Sequence, residues 1–293
     1  MNKLQKILKL IRFKIAFFLS RIRRYDKFKL FEWDSIELLK MDIPNENLLA
    51  ENMFLHEGKY YLVFSNYNNN HVGILETTDP KGLWELRAQI ALNASAPHLF
   101  QHEGKWYLFY HDNKDSICLQ VSDNLLYGYS PAIKVIMPVF NWEQSRVHEP
   151  FVIKVKDVWI MLYMGDSGNF TEQIGMARSP DLIHWYKSHR NPVLKFGKSY
   201  DKGTVADPWI YEEDGLYYVG YACGRTKHRP WRTALSITAD FEHFLKLGVI
   251  LNLGWRSNCA FRGALTKIGN TYYFPHTARI RGKYKIRLAI KKL

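Results

Sequence analysis

The chain has 293 residues, 47% of them hydrophobic, and three cysteines, Cys118, Cys223 and Cys259, at no metal-binding spacing. That is enough to bury one full core, and it excludes a disulfide framework or a cysteine metal centre, favouring a reducing compartment. The net charge of +13 sits at the ends: residues 1–30 hold ten Lys or Arg and residues 279–293 hold seven, while 31–278 carry 24 basic against 27 acidic residues, so no nucleic-acid groove is expected.

From Leu4 to Arg24, the residues Leu4, Ile7, Leu8, Ile11, Ile15 and Leu19 recur at helical spacing among Lys6, Lys9, Arg12 and Lys14. The longest uncharged run, Ile15 to Ser20, is too short to span a bilayer. Arg21, Arg23 and Arg24 follow it, which a signal peptide does not tolerate. The pattern predicts a short basic amphipathic helix in a segment over 1–26, with residues 1–24 lying on an anionic membrane surface. The competing reading is a helix that packs on the body or frays in water. Together these features predict a cytoplasmic protein, peripheral on the inner face of the membrane.

Past residue 45 the chain repeats itself five times. The opening strands read AENMFL (50–55), SAPHLF (95–100), HEPFVI (148–153), ADPWIY (206–211) and AFRGAL (260–265). Aromatic-rich strands follow from Lys59, Lys105, Val158, Leu216 and Thr271, joined to the first by hairpins such as EGK at 57–59 and 103–105. Third strands run over 72–79, 117–124, 174–182, 233–241 and 286–293; four of them end in a Ser/Thr plus Asp turn, as at Ser179 with Asp181. Units of this length and strand content are propeller blades, so the predicted fold is all-β, a five-bladed β-propeller over 27–293. The fifth unit lacks a fourth strand. Residues 27–36 are expected to supply it and so bring the two basic ends together.

The first strand of each blade lines the axis of a propeller. Here these strands offer Glu51, His98, Glu149, Asp207 and Arg262. Three carboxylates meeting in one depression suit glycosidic cleavage, which needs one protonated acid and one ionised base. Trp209, Trp142 and Trp231 lie near these strands or their loops and offer flat faces for a sugar. Asp112 and Asp166 end the second strands of blades two and three, where they either reach the rim or cap their own loops. Mutual repulsion predicts that neutralising Glu149 or Asp207 leaves stability unchanged or slightly raised.

Over about 45–293 the chain resembles the five-bladed propeller glycoside hydrolases, chiefly family 43 and more distantly families 32, 62, 117 and 130. The resemblance rests on the five units, the Ser-Pro-Asp-Leu-Ile-His-Trp stretch from Ser179 to Trp185, Ala96-Pro97, Glu149-Pro150 and Asp207-Pro208. It implies Glu51 as general base, Glu149 as the residue that tunes and orients, and Asp207 as general acid. Three positions depart from the family: Glu51-Asn52 stands for Asp-Pro, Glu149 for an Asp, and Ala206-Asp207-Pro208 for Glu-Gly-Pro. His276 resembles the axis His that sits near a bound ion in family 43; a satisfied core His is the alternative.

The expected function is therefore cleavage or transfer of glycosidic bonds through Glu51, Glu149 and Asp207. His98, Arg262, Trp209, Asp112, Asp166 and His276 are the candidate substrate contacts. No cofactor and no metal is expected. A glycosyltransferase of surface-polysaccharide synthesis at the membrane face and a sugar-binding pseudoenzyme use the same scaffold, and both stay open at this point.

Overall fold

A computed structural model describes residues 32–168, 171–213, 215–224, 231–251 and 259–293. The N-terminal helix and the boundary at residue 26 lie outside the described residues.

Five antiparallel sheets form five blades. Blade one holds Leu48–His56, Lys59–Asn66, His71–Thr77 and Leu83–Leu92, with Lys40–Met41 added parallel to its outer edge. Blade two holds Ser95–His102, Lys105–His111, Ile117–Ser122 and Ile133–Ile136. Blade three holds Arg146–Val155, Val158–Asp166, Gln173–Ser179 and Tyr186–Lys187. Blade four holds Thr204–Glu213, Leu216–Gly224, Arg232–Thr238 and Leu245–Leu251. Blade five is built from Ala260–Phe261 and Thr266–Ile268 on the inside, then Thr271–Ile280 and Lys283–Lys292. Its outermost strand is Ser35–Leu38, which pairs antiparallel with the C-terminal strand in the register Ser35↔Ile290 to Leu38↔Arg287. The ring thus closes as the missing fourth strand required, a few residues later than 27–36.

Strand periodicity explains how the blades hold one another. In the second strand of blade one, Tyr61 and Val63 face Leu99, Trp106 and Leu108 of blade two. The alternate residues Leu62 and Phe64 face Tyr273, Ile286 and Leu288 of blade five. In blade three, Met161 and Tyr163 pack towards Phe109 and Leu119 of blade two, while Ile160 and Leu162 pack towards Val219 and Tyr221 of blade four. Each interface buries several large side chains, worth about 1.5–3 kcal/mol apiece, so closure costs no exposed apolar edge.

The Ser/Thr plus Asp turns act as caps. Ser179 Oγ accepts the amide of Leu182 at 2.9 Å, and Asp181 Oδ1 accepts those of Ile183 and His184 at 3.0 and 2.8 Å. Trp185 Nε1 donates to Leu182 O at 2.8 Å. The Ser179–Trp185 stretch is therefore a fold signature rather than a site. In blade one the capping hydroxyl is that of Thr77, which accepts the Asp79 amide at 3.2 Å.

Candidate active site

The inner strands do not run straight to the axis. Register shifts interrupt them between Ala50 and Met53, Ser95 and His98, His148 and Phe151, and Ala206 and Trp209. At the interruptions Ala96, Glu149, Asp207 and Arg262 have φ of 51°, 56°, 48° and 54°, a left-handed conformation that side-chain-bearing residues avoid unless the surroundings impose it. A proline or glycine follows each: Pro97, Pro150, Pro208 and Gly263. Gly263 has φ of 90°, and a Cβ there would come within 1.7 Å of Pro275 O, so only glycine fits. These bulges turn one residue per blade towards the front mouth of the axis.

The outcome is a cleft of about 30 Å³ lined by Glu51, Ala96, His98, Glu149, Asp207 and Arg262, among others. That is about the volume of one water in the liquid. Arg262 joins the acids: its Nη1 donates to Glu51 Oε1 at 3.1 Å, Nη2 to Glu149 Oε1 at 2.5 Å and Nε to Asp207 Oδ1 at 2.9 Å. Three carboxylates from three blades touch one guanidinium, and the Glu149 and Asp207 side chains are also in hydrogen-bond contact with each other. Ser65 Oγ donates to Glu51 at 2.8 Å and accepts the Ala96 amide at 2.8 Å, tying blade one to blade two.

The three acids are electrostatically unlike. Burial pushes the Glu51 carboxyl up to about 7 against the pull of Arg262 and Ser65. Burial and the Glu149 charge raise Asp207 well above the usual carboxylate range, so it carries its proton, in hydrogen-bond contact with the Glu149 carboxylate. Burial also works to raise Glu149, but the neighbouring His148, Arg262 and the Asp207 hydrogen bonds outweigh it and hold the group below the usual carboxylate range. Of these, Arg262 is the standing charge, because burial keeps His148 neutral.

The other expected contacts divide. His98 lines the floor of the cleft, its Nδ1 accepting the Val152 amide at 3.1 Å and its ring stacked on Phe151 at 4.1 Å; burial lowers it to about 3. The blade-two counterpart of the acids is thus Ala96, and His98 sits below it. Trp209 does not face the cleft: it is buried between blades four and five against Phe274, pressed on Gly220, because the bulge at Asp207 turns it into the core. Trp142 likewise covers Gly165 and Gly175. Asp112 caps its own loop, accepting the amides of Lys114, Asp115 and Ser116, and does not line the cleft. Asp166 accepts from Gly168 N and Arg146 Nη2 at 2.8 and 3.3 Å in the mouth wall.

His276 is fully buried on the second strand of blade five, and its Nδ1 lies 3.2 Å from Phe274 O. That position gives Nδ1 the proton, and Nε2 has no partner among the described residues. Metal-ligating side chains gather in a trio only at Asp240, Glu242 and His243 among the described residues, on the outside of blade four. His276 is a core residue here and does not reach the acids.

Of the mouth, sequence reasoning named Trp231 and Asp166 and missed the rest. On the side of blades one and five, rings run from Tyr67 to Tyr284 (6.1 Å), Phe261 (5.7 Å) and Trp231 (4.8 Å). The Tyr67 hydroxyl lies within the field of Arg262, Glu149 and Asp207. On the side of blades two to four stand His111, Arg146, His148, Asp166, Glu172 and Thr204. At the opposite face the axis opens into a cavity of about 600 Å³ walled by Phe54, Phe100, Phe151 and Tyr211, with no carboxylate in its lining.

The family model described as glycosyl hydrolases family 43 matches residues 34–206. The chain belongs to glycosyl hydrolase family 43. Similar solved structures include a glycoside hydrolase at 13% identity and TM-score 0.75, covering 93% of this chain and 95% of the other. A thermostable family-43 glycoside hydrolase has 15% identity and TM-score 0.69, covering 85% and 90%. The Cellvibrio cellulosa alpha-L-arabinanase complexed with arabinohexaose has 15% identity and TM-score 0.65, covering 86% and 92%. At these identities the likenesses show the shared fold. No curated protein matches the chain. This family-43 chain is a glycoside hydrolase-like enzyme whose substrate is a carbohydrate.

Proposed function

We propose that the protein hydrolyses the terminal bond of a small pentose-containing glycan, with Asp207 as general acid, Glu51 as general base and Glu149 as the group that keeps them apart in charge. The observation that carries the reading is the single guanidinium of Arg262 shared by all three carboxylates. Glu149, ionised beside it, raises Asp207 so that a proton is held for the leaving oxygen. Glu51, pushed up to about 7, is poised to accept a proton from water near neutral pH. The cleft between them has room for about one water, so the sugar ring stands at the mouth and the attacking water beneath it. Pentose is suggested by the arabinanase and xylosidase named among the similar structures.

A screen of aryl pentosides and hexosides, with nucleotide sugars plus acceptors alongside, tests the reading. Free sugar from a pentoside supports it; transfer from a nucleotide sugar, or no turnover of any substrate, counts against it.

We propose further that residues 1–24 hold the enzyme on an anionic membrane surface at the cytoplasmic face. Their basic amphipathic pattern supports this. The strand Ser35–Leu38 pairs with the C-terminal strand, which carries Lys283, Lys285, Arg287, Lys291 and Lys292.

A further inference from the structure

At the back of the propeller, opposite the mouth of the acids, the axis holds the cavity of about 600 Å³. That volume lies within the ~300–1,000 Å³ of sites that enclose a small molecule. Asn52, His98 and Phe151 line both this cavity and the cleft of the acids, so they form a floor between two separate spaces.

The wall is apolar because its polar side chains are spent inside the fold. Asn52 Nδ2 donates to Leu99 O at 2.8 Å, and its Oδ1 accepts the Leu99 amide at 3.2 Å. Thr266 Oγ1 donates to Met53 O at 2.9 Å, and His98 Nδ1 accepts the Val152 amide. Between them stand rings held by the blade interfaces: the centroid of Phe54 is 5.3 Å from that of Trp106, and Phe100 is 5.5 Å from Trp159. Side chains packed in this way do not collapse into the space.

The charges in the lining are of one sign. Lys154 and Lys267 are exposed there, each ammonium 5.3 Å from a ring centroid, over Trp159 and Tyr272. Neither has a carboxylate partner among the described residues. Glu57 and Glu103, on the hairpins beside His56 and His102, hold their side chains 82% and 80% exposed and do not line the cavity. Glu213 is engaged by the Tyr272 hydroxyl at 2.8 Å. An apolar space edged by unpaired cations is complementary to a molecule with an apolar body and an anionic head. The chain also enters the propeller at this face: Asp34 Oδ2 accepts the Lys292 amide at 2.8 Å, and Lys292 pairs with Thr271 on the hairpin that follows Lys267. The basic amphipathic residues 1–24 are thus joined to the side that holds the cavity.

We infer that the back cavity binds an anionic amphiphile, with an acyl chain between the rings and the acidic head against Lys154 and Lys267. The ligand class is read from this cavity alone and does not depend on the hydrolase reading.

The probe is dodecanoate, titrated by calorimetry into the full chain below the concentration at which it forms micelles. It should bind, and decanoate should bind about tenfold more weakly, because two methylenes fewer are buried. Dodecyltrimethylammonium, the same chain with a cationic head, should not compete. Leu55→Glu, at a partly exposed position of the lining, and the pair Lys154→Glu with Lys267→Glu should each weaken dodecanoate about tenfold or more by setting like charge against its head. If Leu55→Glu does not fold, the lysine reversals on the surface decide alone. No binding, or equal binding of the two chain lengths, overturns the inference. So does affinity that the folded variants leave unchanged, since the attraction then belongs to basic residues elsewhere. Trp106 and Trp159 line the cavity and report the source of the ligand. Fluorescence quenching by phosphatidylglycerol vesicles with brominated chains, reduced in Trp106→Phe and Trp159→Phe, supports the site with a bilayer lipid in it. The same quenching by bromododecanoate alone supports it with a free fatty acid, and quenching by neither overturns it.

Discussion

The backbone amide of Asp207 donates to Glu149 Oε2 at 2.8 Å. One bond thus links the bulges of blades three and four, and it needs the left-handed backbone at both residues. It fixes a negative charge beside the Asp207 carboxyl, which is why the acid of blade four stays protonated while that of blade three does not.

On a substrate with a poor leaving group, Glu149→Gln and Asp207→Asn should each lower kcat by at least about 100-fold, the usual contribution of an acid-base group. Their stabilities should differ. Asp207 is already neutral, so Asn should leave the thermal midpoint unchanged. Glu149→Gln strips Arg262 of its ionised partner and should lower the midpoint. Equal stability of the two variants, as mutual repulsion of three acids alone would give, is not expected once Arg262 stands among them. Kinetics and calorimetry on both variants check this.

Arg262→Met should destabilise the fold by about 3–5 kcal/mol, the range for breaking a buried ion pair from one side. Urea denaturation at neutral pH measures it. The loss should shrink in acid, where Glu51 takes up its proton; Asp207 holds its own throughout.

Stability should fall as pH rises from about 4.5 to about 7. In that window folded Glu51, pushed up to about 7, keeps a proton that the unfolded chain has released, so unfolding releases it and higher pH favours unfolding. The contribution is about 3 kcal/mol across the window. Glu172, also raised to about 7 by burial, adds in the same direction. Glu51→Gln should flatten the dependence of the thermal midpoint on pH; a slope equal to that of the parent would count against the assignment.

Removing residues 1–24 should leave a folded propeller and weaken binding to vesicles rich in anionic lipid, most at low salt. Sedimentation with vesicles reads this. Undiminished binding would locate the attraction elsewhere.

Much of this fold was legible because blade strands advertise themselves. Aromatic second strands and Ser/Thr-Asp caps recur in sequence, and the deficit at the C-terminus announced a closing strand. The acids were legible too, since Glu149-Pro150 and Asp207-Pro208 mark the bulges that present them. Trp209 misled because a bulge reverses the alternation of a strand: two residues after Asp207 the side chain points into the core instead of the cleft. His148 and Thr204 were missed for different reasons. Thr204 precedes the bulge on a strand read as opening only at Ala206, His148 stood inside the strand as read but was passed over for Glu149, and Glu172 belongs to a loop whose bridge to Thr204 leaves no periodic trace. His148 stood in the sequence directly before Glu149 and could have been found by its register.

The division of labour between Asp207 and Glu51 is tested most directly by leaving-group dependence. An aryl glycoside that turns over is prepared with a good leaving group, such as 2,4-dinitrophenol, and with a poor one, such as phenol or an alcohol. A good leaving group needs no proton, so Asp207→Asn should keep most activity on the first substrate and lose at least about 100-fold on the second. Glu51→Gln should lose activity on both. An Asp207→Asn variant equally impaired on both substrates would contradict Asp207 as the proton donor.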